Sequence, residues 1–148
     1  MNIQERYRDN IGFYKNILPD GFCTHIIKEF DILEKNGITR SRQQSDDATK
    51  TTKEDQHVFL NYYNYQSLLR DFNDHNCFKI IKNGIQNCFD LYCDEYDILR
   101  DMNLTCLDFK FQKSKPGAGY HVWHCEQGDV YTASRVMTYI LYLNDIKD

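Results

Sequence analysis

Two residues in GYHVWHCE (Gly119–Glu126) have the types and the spacing to grip a metal ion. In an extended strand, side chains two apart point the same way. His124 and Glu126 therefore share a face with Tyr120 and Val122, while His121, Trp123 and Cys125 share the other. An imidazole and a carboxylate side by side supply two donors. A further histidine would complete the facial set of two histidines and one carboxylate that suits Fe(II) and leaves positions open for other ligands. Taken alone, H-x-E is common by chance, and an ordinary histidine and glutamate on a half-exposed strand is its plainer reading. A zinc site built from His121, His124 and nearby cysteines fits less well, because those side chains alternate across the strand.

Strands must position the pair, and the sequence supplies their pattern. LTCLDFKFQK alternates, with Leu107, Phe109 and Phe111 on one face and Asp108, Lys110 and Gln112 on the other. KPGAG is a turn, GYHVWHCE a second strand, QGDVYTAS a polar loop and RVMTYILYLN a third strand. Along that third strand Val136, Thr138, Ile140 and Tyr142 share a face. Val136 to Leu143 is apolar on both faces, as in a strand covered on both sides.

Helices precede this strand cluster. IGFYKNILP reads as an extended lead-in. Asp20 offers an N-cap for a helix through CTHIIKEFDILEK, with Ile26, Phe30 and Leu33 on one face and Asn36-Gly37 as its stop. Residues 39–57 are polar, lack apolar periodicity and are expected to form a long surface loop. Tyr65 to Asp71 suggests a short helix. A longer one is expected from Asn76 to Leu99, with Phe78, Ile81, Ile85, Phe89, Tyr92, Tyr96 and Leu99 as its buried stripe. The order of elements predicts an α+β domain in which helices back a sheet or barrel.

Bulk properties narrow the function classes. The 148 residues suit a single domain with a real core. A net charge of −4 and scattered lysines and arginines leave no basic footprint for nucleic acid. The sequence holds no apolar run of membrane-spanning length and no hydrophobic leader, so a soluble, cytoplasmic protein with no membrane partner is expected. Its six cysteines have neither C-x-x-C nor zinc-ribbon spacing and are expected to be reduced and mostly buried.

The stretch from FQKSKPGAGYHVWHCE through RVMTYILYLND, about Leu104 to Asp145, resembles the 2-oxoglutarate- and Fe(II)-dependent oxygenases, in particular the prolyl 4-hydroxylase-like group. In that family a P-G-x-G-Y-type turn leads into H-x-D/E, a loop, and an apolar strand ending in Y-L-N-D/E. The resemblance implies an incomplete double-stranded β-helix (a jelly-roll, cupin-like barrel) spanning 104–148, supported by a mainly helical segment, 1–100. It implies that His124 and Glu126 are iron ligands, and that Tyr142 donates its hydroxyl to the distal carboxylate of 2-oxoglutarate. Thr138 and Ile140, on the same face as Tyr142, would line the co-substrate pocket. The implied activity is hydroxylation of an unactivated C–H bond, coupled to decarboxylation of 2-oxoglutarate to succinate and CO2 with O2 as the other co-substrate. Ascorbate is a further cofactor candidate. The substrate class toward which the resemblance leans is a peptidyl proline or another protein side chain.

The sequence departs from the family in three respects. Glutamate stands where aspartate is commoner. The G-G-E-T segment after Y-L-N-D is absent. Only 22 residues follow Glu126, and they contain neither the distal histidine nor the basic residue that pairs with 2-oxoglutarate beyond it. The apolar strand 136–143 would also leave an open edge as a final element. Both points lead to the expectation that the chain is the N-terminal part of an oxygenase domain carrying part of the site. The alternative is a non-catalytic remnant or binding module that keeps the scaffold without the chemistry.

Overall fold

The computed structural model describes residues 3–45, 53–61, 63–106 and 108–145. It is a mixed α+β chain with small sheets. Strands β1 (Gln4–Arg8) and β2 (Ile11–Lys15) form an antiparallel hairpin in which Tyr7 faces Gly12 and Arg8 faces Ile11. Its two-residue turn, Asp9-Asn10, has positive φ at both positions (50° and 62°), as a type I′ turn requires. The lead-in IGFYK is thus β2, as the sequence suggests. Its partner β1 was not anticipated, because QERYR carries charges on both faces and shows no apolar alternation.

Helix α1 (Phe22–Lys35) buries Ile26, Phe30 and Leu33, the three residues its periodicity selects. It ends at Gly37, whose φ of +69° closes a Schellman-type stop in which the Ile38 N–H donates to Leu33 O at 3.0 Å. Its start differs from the expected one. Gly21, with φ of +77°, stands between Asp20 and the first helical residue, so Asp20 is not the adjacent cap.

Helix α3 (Tyr65–Leu68) is short, and α4 (Cys77–Glu95) is capped by the Asn76 side chain, which accepts from Lys79 N at 2.9 Å. The buried line of α4 is Cys77, Phe78, Ile81, Gly84, Cys88 and Cys93. It is rotated from the large-residue stripe, so Ile85, Phe89 and Tyr92 are only half-buried. Gly84 explains the rotation. A Cβ there would meet Ile17 O at 2.9 Å, so the chain at 17–18 crosses the helix where it has no side chain. Tyr92 Oη donates to Asn10 O at 2.7 Å and Tyr7 Oη to Leu91 O at 3.0 Å, tying the hairpin to α4. A 3-10 turn follows at Asp97–Leu99.

The expected surface loop 39–57 is corrected over its described residues. It contains β3 (Arg40–Ser41), α2 (Arg42–Ser45) and the start of β4 (Gln56–Asn61), while 46–52 lie outside the described residues. Strands β3, β4 and β5 (Asp108–Lys113) form a second sheet in that order, with Arg40 opposite His57 and Ser41 opposite Gln56 in antiparallel register. The alternation of β5 holds for Phe109 and Phe111, both buried. Leu107 lies outside the described residues.

The two expected strands after β5 are not formed, and the described residues contain no closed barrel. Extended chain becomes a strand only when a neighbour takes its N–H and C=O groups. Among the described residues, 119–126 have such a neighbour only at their start, where Glu54 N donates to Gly119 O at 2.8 Å and Lys53 pairs with Tyr120. Residues 136–143 lie outside any named strand and keep the period of two except at Tyr139: Met137, Leu141 and Leu143 are half-buried, while Thr138, Tyr139, Ile140 and Tyr142 are exposed.

The chain divides into two compact units, residues 1–32 with 59–109 and residues 33–58 with 110–148. No disulfide joins the cysteines; Cys77, Cys88 and Cys93 are buried, whereas Cys106 and Cys125 are exposed. No helix among the described residues is long and apolar enough to cross a membrane.

Glu29 holds the first unit together electrostatically. Its carboxylate is 2% exposed and accepts from Arg70 Nη2 at 2.6 Å, Nε at 2.9 Å and the backbone N–H at 3.1 Å. Burial pushes its pKa up, but the Arg70 hydrogen bonds and charge outweigh that, and the net shift is below the ordinary 4.5. A depressed folded value means the stabilisation is complete above about pH 4.5 and lost as pH falls through the folded value. Glu29→Gln should therefore be less stable than the wild type at pH 7, with the gap closing below about pH 4 in acid-unfolding curves. A gap independent of pH would contradict this account. In the same unit, Gly84→Ala should cost about 1–3 kcal/mol in denaturant unfolding, because backbone must move to admit the methyl group.

Candidate metal centre

The site lies wholly in the second unit, and its shape begins with a polar turn. Asp129 Oδ1 accepts from the Thr132 and Tyr131 N–H groups, each at 2.9 Å, and from Thr132 Oγ1 at 3.0 Å. Those bonds, the Thr132 N–H first, hold the Asp129 carboxyl below its usual range. The turn reverses QGDVYTAS so that Arg135 comes back to Glu126. Arg135 Nη1 lies 2.9 Å from Glu126 Oε2, and Gln127 Nε2 donates to Arg135 O at 2.6 Å. The Arg135 side chain, 53% exposed, thus has a carboxylate partner.

His124 Nε2 lies 3.3 Å from Glu126 Oε1, so the two residues singled out for metal binding do face each other. The other ring nitrogen, Nδ1, lies 3.3 Å from Val122 O. A carbonyl can only accept, so in the tautomer with its proton on Nδ1 the imidazole is anchored to Val122 O. In that tautomer Nε2 presents a lone pair beside Glu126 Oε1, where both atoms can hold a metal ion; in the other tautomer Nε2–H donates to the same oxygen. Two donors at right angles about one ion, each ~2.1 Å from it, would stand ~3 Å apart, close to this separation. With Oε2 held by Arg135 and Oε1 directed at His124, the carboxylate is set for one-oxygen ligation. In these respects the two residues fit an iron ligand pair. Both side chains are over two-fifths exposed, so a ligand can reach them.

The remaining predicted residues are distributed differently. Glu126, Arg135, Val136 and Thr138 line one shallow hollow of about 250 Å³, together with Cys125 and Met137. Thr138 is thus brought to the carboxylate. Ile140 and Tyr142 are 70% and 75% exposed and do not line that hollow. Among the described residues, no group of three or more histidine, cysteine or acidic side chains converges as a metal set, so the zinc reading gains no third donor there.

Sequence reasoning missed a second cluster in this unit. Asp55 is 5% exposed and His57 2% exposed. Asp55 Oδ1 accepts from His57 Nδ1 at 2.8 Å, while Oδ2 takes Arg42 Nη2 at 3.1 Å and Nε at 3.3 Å, with Lys110 Nζ at 3.9 Å. Lys110, on the face of its strand opposite Phe109 and Phe111, is drawn to this carboxylate. The available signal was the spacing Lys53, Asp55, His57, which is a strand period written in polar residues.

No protein-family model, curated protein or solved structure matches the chain.

Removing the Asp55 carboxylate would leave Arg42 and Lys110 facing each other around an empty centre. Asp55→Ala is expected to cost ~3–5 kcal/mol in denaturant unfolding, the penalty for breaking a buried pair from one side. A loss below about 1 kcal/mol would mean that the cluster behaves as an exposed pair.

Proposed function

We propose that this chain carries two of the three protein ligands of a 2-oxoglutarate- and Fe(II)-dependent dioxygenase, His124 and Glu126, on the first part of a double-stranded β-helix. The observation that supports this is the facing of His124 Nε2 and Glu126 Oε1 at 3.3 Å, with each group's other polar atom already engaged. When bound, Fe(II) supplies the coupling of 2-oxoglutarate decarboxylation to hydroxylation of an unactivated C–H bond, the substrate class being a prolyl or other protein side chain.

The chain's own residues have distinct tasks in this reading. Val122 O holds the Nδ1 proton, so His124 presents the Nε2 lone pair. Arg135 holds Oε2 and offsets part of the Glu126 charge, so one oxygen is presented to the ion. Thr138 lines the hollow beside Glu126, where the co-substrate would lie next to the iron. Tyr142 donates its hydroxyl to the far carboxylate of 2-oxoglutarate, and Ile140 forms the apolar wall between them. This role requires the exposed face of 136–142 to be covered when the site is assembled.

The alternative is a non-catalytic remnant or binding module that keeps the scaffold without the chemistry. Equilibrium dialysis with Fe(II) under argon tests the main reading. One equivalent should bind per chain, binding should be lost in His124→Ala and Glu126→Ala, and added imidazole should strengthen it by supplying a third donor. The chain alone is expected to form no succinate from 2-oxoglutarate, and imidazole is expected to elicit some. His124→Ala binding Fe(II) as well as the wild type would overturn the assignment. Fe(II) binding with no succinate under any of these conditions would favour the binding module.

A further inference from the structure

We infer that Tyr120 is a positioning residue for His124, a stacking platform that fixes the imidazole plane and so aims Nε2 at the metal position. The inference rests on the metal reading above. The Tyr120 and His124 rings are stacked, with centroids 3.8 Å apart and planes 22° from parallel. Lys53 Nζ stands 4.1 Å from the same Tyr120 centroid. The Tyr120 ring is thus clasped by two contacts, one to the ammonium and one to the imidazole. Backbone pairing sets this clasp. Lys53 and Tyr120 form a bridge, and Glu54 N donates to Gly119 O at 2.8 Å, which fixes the height of the tyrosine ring.

The arrangement has a chemical consequence. His124 is 41% exposed, and a half-exposed imidazole would otherwise turn about its Cβ–Cγ bond. The stack and the Nδ1 contact to Val122 O together leave one ring orientation, the one that faces Glu126. A ligand held in its bound geometry loses less entropy on coordination, and outer partners of metal-binding histidines typically alter affinity by about 10–100-fold. The ring does this work and the hydroxyl does not, so phenylalanine should replace tyrosine.

Two measurements on the full chain decide the matter. In the metal-free protein, the His124 ring proton between the two nitrogens, assigned by its absence in His124→Ala, should be shifted upfield by the Tyr120 ring current. The shift should persist in Tyr120→Phe and vanish in Tyr120→Leu. Fe(II) affinity under argon should stay within about twofold of wild type in Tyr120→Phe and fall about tenfold in Tyr120→Leu. Loss of Fe(II) binding in His124→Ala together with undiminished binding in Tyr120→Leu would overturn the platform and leave the metal reading standing. Undiminished binding in His124→Ala would instead overturn the metal reading and, with it, the platform's role. Should Tyr120→Leu fail to fold, the wild-type spectrum decides: an unshifted His124 ring proton would show that there is no stack.

Discussion

A carboxylate out of water must be neutralised where it sits, and in this chain Asp55 imposes that condition on its surroundings. Its side chain is 1% exposed, and its two oxygens are taken by His57, Arg42 and Lys110. Those partners come from β4, α2 and β5, so one charge draws three elements to a point. The Arg42 N–H also donates to Asp55 O at 3.3 Å, which places the Arg42 side chain level with the carboxylate. Two residues before Asp55 on the same segment is Lys53, from which the clasp on Tyr120 rises. The geometry of the exposed pair His124–Glu126 is in this way referred back to a buried charge.

The two clusters use charge in opposite ways. Around Asp55, cations surround an inaccessible anion and every group is consumed by structure. Around Glu126, one cation, Arg135, takes one oxygen, and the second oxygen faces His124 Nε2 at 3.3 Å. The first arrangement closes a core; the second leaves a position for a cation with solvent access. The difference in exposure, a few per cent against more than two-fifths, is what separates a structural network from a candidate binding centre.

Much of this was legible in the sequence, for identifiable reasons. Ile26, Phe30 and Leu33 at helical spacing gave α1, and Asn36-Gly37 gave its end. Phe109 and Phe111 at a spacing of two gave β5. His124 and Glu126 stand out as a pair because side chains two apart on extended chain face the same way, and that holds here although no ladder forms along 119–126 among the described residues. Ladder formation was the part that could not be read, since it depends on what lies beside the chain and not on the chain's own alternation. Residues 136–143 make the same point: apart from Tyr139 their burial alternates, yet no named strand forms there among the described residues. The buried trio Arg42, Asp55 and His57 was hidden because hydropathy cannot distinguish a polar residue facing water from one facing its counter-charge. Gly84 rotated the buried face of α4 away from its largest side chains because close approach of the 17–18 backbone, not residue size, chose the contact.

The central claim is that His124 and Glu126 grip one ion. Paramagnetic line broadening by Mn(II), added in small amounts to the isotopically labelled chain, tests it without requiring turnover. The account predicts selective loss of signals centred on His124 and Glu126, extending to Arg135 and Thr138, and abolished in Glu126→Gln. Broadening centred on another acidic surface, or broadening unchanged in Glu126→Gln, would contradict it.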